Sequence, residues 1–233
     1  MKSDLPYHHR QLLLILLLGL FTLVGCSEKR NAIPRNMKNQ SAALEVRVLS
    51  IKYAALFQSG DSDLLEEIWD KGQNESILRL LVSSSDTDPY ARFLAHEILV
   101  RKVNAYTPEK PMLVANAYTE MLQRHEEQVG LSANSWGLLY NENDAGVLGN
   151  RLVELEEASI PYLYKLLDDS RAQFLYEGSE EALIGDGYQY RVKDFAAYYL
   201  HLITKVNIDF YSDIEQRNKE IQRFKSELSK KLN

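Results

Sequence analysis

The stretch Phe174-Leu175-Tyr176-Glu177-Gly178-Ser179-Glu180-Glu181-Ala182, continued by Gly185 to Asp194, concentrates side chains that can do chemistry. Glu180, Glu181 and Asp194 are carboxylates, and two that face one substrate can divide general acid and general base work. Tyr176, Tyr188 and Tyr190 are flat rings with a polar edge, suited to a sugar or a peptide. Arg191 adds a cation. The same residues support a second reading, in which Arg191 and Asp194 pair with loop groups and pin the insertion to the helices beside it. Asn134, Trp136 and Tyr140 make another candidate patch, either a second aromatic surface or anchors buried beneath their own loop.

Other chemistries lack their residues. The chain has neither a G-x-x-x-x-G-K-[ST] phosphate loop nor G-x-G-x-x-G, and Gly185-Asp186-Gly187 is too short for either. Gly178-Ser179 lacks the second glycine of a nucleophile elbow. His96-Glu97 opens like H-E-x-x-H, but Val100 stands where the second histidine is required. His125 reads as part of a solvated helix end, and His201 as a satisfied side chain on an apolar helix. Asp61/Asp63, Asp86/Asp88 and Asp168/Asp169 lack the glycine and distal glutamate of a calcium loop and read as caps. No metal and no cofactor is expected. Lys and Arg number 27 against 33 Asp and Glu, a net charge of −6, with no basic block. That balance argues against nucleic acid as a partner.

The elements that must position these residues are helices. Leu44, Val48, Ile51 and Ala55 recur at steps of three and four, and similar apolar faces follow at Leu64–Trp69, Ile77–Val82 and Tyr90–Asn104. Thr107-Pro108 is read as the start of a helix to about Glu127, followed by a loop and helices over 145–156 and 159–168. Residues 170–187 read as irregular, and helices return over 190–205 and 212–232. In the last of these, Ile214, Ile221, Phe224 and Leu228 form a narrow apolar stripe fit for a docked capping helix. No stretch alternates like a strand, so the class expected is all-α, with residues 44–233 as one helical domain.

Two helices share a spacing. Arg92-x-x-Ala95-x-x-x-Leu99 matches Lys193-x-x-Ala196-x-x-x-Leu200, and a short apolar helix precedes each. A small alanine lets a neighbouring helix approach, and the leucine packs on the same face. The pattern resembles HEAT-like repeats, which implies antiparallel helix pairs stacked as a short solenoid that holds another macromolecule. An irregular helical bundle is the alternative.

Cys26 is the chain's single cysteine. It follows Lys2, Arg10 and the apolar run Leu12–Val24, which has the length of a signal-peptide core and is too short to span a bilayer as a helix. Leu23-Val24-Gly25-Cys26 resembles the lipobox of bacterial lipoproteins. That resemblance implies cleavage of residues 1–25 and acylation of Cys26. Ser27 to Ala43 is polar and lacks apolar periodicity, so residues 26–43 read as the lipidated cysteine and a flexible tether reaching roughly 20–25 Å. Loss of Lys2, Arg10 and Asp4 takes the net charge from −6 to −7. The implied location is the periplasmic face of a bacterial membrane, and Ser27 after the cysteine favours the outer one. The expected function is that of a lipid-anchored envelope module that binds an envelope protein partner without catalysis. The alternative is a glycan-binding or hydrolytic enzyme using the carboxylates of residues 176–194.

Overall fold

The computed structural model describes residues 34–57, 63–124, 131–172 and 174–232. Cys26, Gly60, Asp61 and His125, and the readings attached to them, lie outside the described residues. Eleven α-helices and no strand occur among those described. They are α1 Arg35–Leu49, α2 Tyr53–Phe57, α3 Asp63–Trp69, α4 Glu75–Ser83, α5 Pro89–Lys102, α6 Pro111–Gln123, α7 Gly146–Glu154, α8 Ile160–Leu166, α9 Ser179–Tyr188, α10 Val192–Thr204 and α11 Ile214–Leu232. The fold is all-α. None of the described helices is long and apolar enough to cross a membrane.

Three boundaries differ from those read in the sequence, each for a local reason. The tether expected over 26–43 gives way to helix at Arg35. Buried Leu44 and Val48 pin α1 to the core, and the good helix formers Gln40, Ala42 and Ala43 let the helix extend backward from that nucleus. The helix expected to run on through Ala55 breaks after Leu49. There Ser50 Oγ donates to the Arg47 carbonyl at 2.7 Å, and the Tyr90 hydroxyl takes the freed Ile51 carbonyl at 2.7 Å. The helix expected from Thr107-Pro108 begins at Pro111. Proline disfavours helical geometry in the residue before it, and Lys110 is accordingly non-helical, with φ −125° and ψ 75°.

The repeated spacing falls on the two most enclosed helices. Every residue of α5 from Ala91 to Leu99 is buried, and so is every residue of α10 from Asp194 to Leu200. A helix buried on all sides needs neighbours on all sides. Helix α5 packs on α3, α4 and α6, and α10 packs on α7, α8 and α11. Helix α6 touches α7 and α8, so one continuous core runs through both groups. Asp88 caps α5 by accepting from the Tyr90 amide at 2.8 Å, with Pro89 at the first helical position. Arg92, the cation of the repeat, donates to the Ser84 and Thr87 carbonyls at 2.6 and 3.0 Å and so closes the end of α4. Helix α7 comes close to α10 at Gly149, where a Cβ would lie 2.4 Å from the Tyr199 ring.

Each central helix also carries one fully buried carboxylate between two guanidiniums. On α5, Glu97 faces Arg151 Nε at 3.3 Å and Arg101 at 3.5 Å. On α10, Asp194 faces Arg191 at 2.9 Å and Arg217 Nε at 3.2 Å. Such groups hold a fold only as complete sets, because an ion left alone in the interior costs several kcal/mol.

Candidate functional site

The two candidate patches form one structure. The Asn134 side chain bonds both backbone groups of Glu177: Oδ1 accepts from the amide and Nδ2 donates to the carbonyl, each at 2.9 Å. Beside it the Ala133 amide donates to the Leu175 carbonyl at 2.9 Å, and the Tyr176 hydroxyl donates to the Gly137 carbonyl at 3.1 Å. Ser132 starts the short 3-10 turn Ala133–Trp136 by accepting from the Asn134 amide at 3.3 Å, which sets Asn134 in position. Trp136 lies fully buried beneath this junction, and its carbonyl accepts from the Tyr199 hydroxyl at 2.6 Å.

Tyr140 joins the same assembly from above α10. Its ring stacks on Phe210 at 4.2 Å and meets the edges of Tyr190 at 5.2 Å and Tyr188 at 5.9 Å, while Tyr188 stacks on Tyr190 at 5.3 Å. The Tyr140 hydroxyl donates to the Asp194 carbonyl at 3.1 Å. Tyr190 is buried, and Tyr176, Tyr188 and Tyr140 are half-buried. Burial pushes the Tyr190 phenol up to about 12 and also raises those of Tyr176 and Tyr140 well above the usual phenol value, so all three are neutral hydrogen-bonding groups. The rings pack against one another as an inner cluster; they do not lie open as a flat platform for a sugar.

The carboxylates are not brought together. Asp194 is completely buried, and Arg191 holds it in a fork, Nε to Oδ2 and Nη2 to Oδ1, both at 2.9 Å. Its Oδ2 also accepts the Arg191 amide at 2.8 Å, which fixes the start of α10. Arg217 of α11 approaches the other side. Its own donors reach the Tyr188 carbonyl at 2.6 Å and the Tyr211 carbonyl at 3.2 Å, and its guanidinium lies 5.5 Å from the Tyr140 ring centre. Arg191 reaches α11 as well, donating to Asn218 Oδ1 at 2.7 Å. These contacts tie the end of α9, the start of α10 and the start of α11 into one joint. Glu180 is exposed and Glu181 half-buried in the first turn of α9, where acidic residues favour the helix dipole. Arg191 and Asp194 thus pair with each other and with α11, and the insertion is held at this joint by Arg217 through the Tyr188 carbonyl.

Residues 170–187, read as irregular, hold all but the last residue of helix α9. Gly178 precedes it with φ 94°, and Gly185 within it makes room for the Tyr176 ring. A Cβ on Gly185 would lie 2.1 Å from Tyr176 Cδ2. Replacement by alanine must therefore displace the ring and weaken the bond from Tyr176 to Gly137. Gly185→Ala is expected to cost about 1–3 kcal/mol, measured by urea unfolding against wild type.

Anchored in this way, the insertion presents two side chains that sequence reasoning passed over. Leu175 is 72% exposed and Leu183 is 75% exposed. Leu175 also edges an open cleft of about 470 Å³, with Phe174, Gly185, Asp186 and Gln189 among its walls. The signal was available in the helical period of Ser179–Tyr188, which turns Leu183 away from the buried Gly185 face, but two glycines hid the helix. No family model, curated protein or solved structure matches this chain.

Proposed function

We propose that this chain is a lipid-anchored module of the bacterial cell envelope, held through Cys26 at the periplasmic face of the outer membrane. In this reading it binds a protein partner through Leu175 and Leu183. The anchor rests on the likeness of Leu23-Val24-Gly25-Cys26 to a lipobox. The binding role rests chiefly on one observation: an insertion pinned by Asn134, Tyr176 and the Asp194 joint spends none of that anchoring on covering its two leucines. A preorganised apolar contact loses little conformational entropy when a partner closes over it. HEAT-like stacking of the helices belongs to the same reading and would give the partner an extended surface.

The test is the double replacement Leu175→Glu with Leu183→Glu in the anchored protein. Both sites are on the surface, so stability is expected to hold within about 0.5 kcal/mol per site. Recovery of a cross-linked partner from intact membranes should fall at least tenfold, as expected when anchor residues of an interface are lost. Equal recovery by the variant and the wild type would remove these leucines from the interface. Mass spectrometry of the membrane-extracted protein tests the anchor separately, through an acylated Cys26 at the new N-terminus.

A further inference from the structure

We propose a second site, independent of the insertion: the cleft between the α5–α6 connection and the end of α7 binds a small neutral polyhydroxy ligand, a single sugar ring in size, with His96 accepting a hydrogen bond from one of its hydroxyls. The cleft measures about 390 Å³, near the small end of small-molecule sites (roughly 300–1,000 Å³). Its lining mixes polar side chains, His96, Arg151 and Glu154, with apolar ones, Val100, Pro108, Pro111 and Leu155.

His96 is fixed from beneath. The Tyr118 hydroxyl donates to Glu97 Oε1 at 2.5 Å and lies 2.8 Å from His96 Nδ1. Glu97 faces two guanidiniums and serves as the acceptor. The single phenolic proton is therefore spent on Glu97, and His96 must supply its own proton from Nδ1 to the Tyr118 oxygen. That tautomer leaves the lone pair on Nε2. Burial, followed by the nearby Arg151 charge, pushes the imidazole down to about 3, so it is a neutral acceptor and a poor base. The ring suits recognition rather than proton abstraction.

Charge and shape narrow the ligand. The cation and the carboxylate that line the cleft, Arg151 and Glu154, pair at 2.9 Å, so their charges cancel and a net ion has no counter-charge waiting. Arg151 beside His96 also disfavours an ammonium donor. Two acceptors, His96 and Glu154, and one donor, Arg151, in one cleft match a ligand rich in hydroxyls, each of which both gives and takes a hydrogen bond. The apolar lining residues interleaved with them suit the C–H groups of the same ring. Ala105, which lines the cleft, and Glu156, which follows Leu155, hold left-handed backbone at φ 51° and 49° without being glycine. Strain of this kind is tolerated where the surrounding structure shapes a site.

The test uses the full chain in detergent and saturation-transfer NMR with N-acetylglucosamine and glucose, with glycylglycine amide and acetate as separate arms. Transfer to ring C–H protons of a sugar is expected, with millimolar affinity, together with a shift of the His96 Nε2 nitrogen signal. Glu154→Gln should weaken binding about three- to tenfold, the worth of one hydrogen bond. His96→Asn keeps a donor toward Tyr118 but removes the cleft acceptor, and transfer should vanish. No transfer to either sugar at about 20 mM overturns the proposal. So does undiminished transfer in a folded His96→Asn protein, or transfer to the amide or acetate arm alone. If His96→Asn does not fold, the wild-type nitrogen signal decides, and an unmoved signal at saturating sugar overturns the site.

Discussion

Replacing Asp194 by alanine is expected to lower stability by about 3–5 kcal/mol, which for a chain of this size moves the thermal midpoint by about 10 °C or more. The change leaves Arg191 and Arg217 facing each other in the interior without a carboxylate. It also removes the bond that starts α10, from the Arg191 amide to Asp194 Oδ2 at 2.8 Å. The damage should spread to the insertion, because Arg217 holds the Tyr188 carbonyl and Tyr140 holds the Asp194 carbonyl. Hydrogen exchange should therefore quicken at the Glu177 and Val192 amides, whose acceptors are Asn134 Oδ1 and the Arg171 carbonyl. Calorimetry and exchange on the same sample check both halves. A midpoint within a degree or two of wild type would mean that the joint carries none of the fold.

Acid should weaken the protein from the opposite half of the core. His96 titrates near 6.5 in the unfolded chain, whereas burial and Arg151 hold it down to about 3 in the fold. Below pH 6.5 the unfolded chain takes up a proton that the folded chain refuses. The stability due to the neutral ring is thus complete above pH 6.5 and is lost progressively as pH falls toward 3. The loss is on the order of 4 kcal/mol across that window. His96→Asn removes the titration, so its unfolding free energy should fall less steeply between pH 6.5 and 3 even if it starts lower at pH 7. Parallel slopes for the two proteins would show that His96 ionises in the fold as it does in water.

The sequence carried the class and much of the framework, and missed what depends on distant pairing. Three-and-four spacing marked the helices, and the spacing shared by Arg92/Ala95/Leu99 and Lys193/Ala196/Leu200 fell on the two helices at the centre. Asp88-Pro89 announced a helix start, and the pairing of Arg191 with Asp194 was open to reading because it is local, three residues apart. The remainder was hidden for definite reasons. Asn134 and Glu177 are 43 residues apart, and nothing in either neighbourhood names the other. Arg217 stands four residues after Asp213, the spacing of an exposed helix pair, yet it is buried, with its guanidinium 5.5 Å from the Tyr140 ring centre. His96-Glu97 was measured against a zinc motif, whereas its partners Tyr118 and Arg151 come from other helices. Gly185 and Gly187 concealed α9 because glycine lowers helix propensity, although Gly185 is there to admit the Tyr176 ring.

In-cell photocrosslinking from position 183, with the anchor intact, tests the binding role most directly. A photoreactive residue in place of Leu183 should give one discrete adduct, lost when Leu175→Glu is added and absent when the same probe replaces exposed Lys219. The same faint, indiscriminate pattern from positions 183 and 219 would contradict a partner-binding role for the insertion.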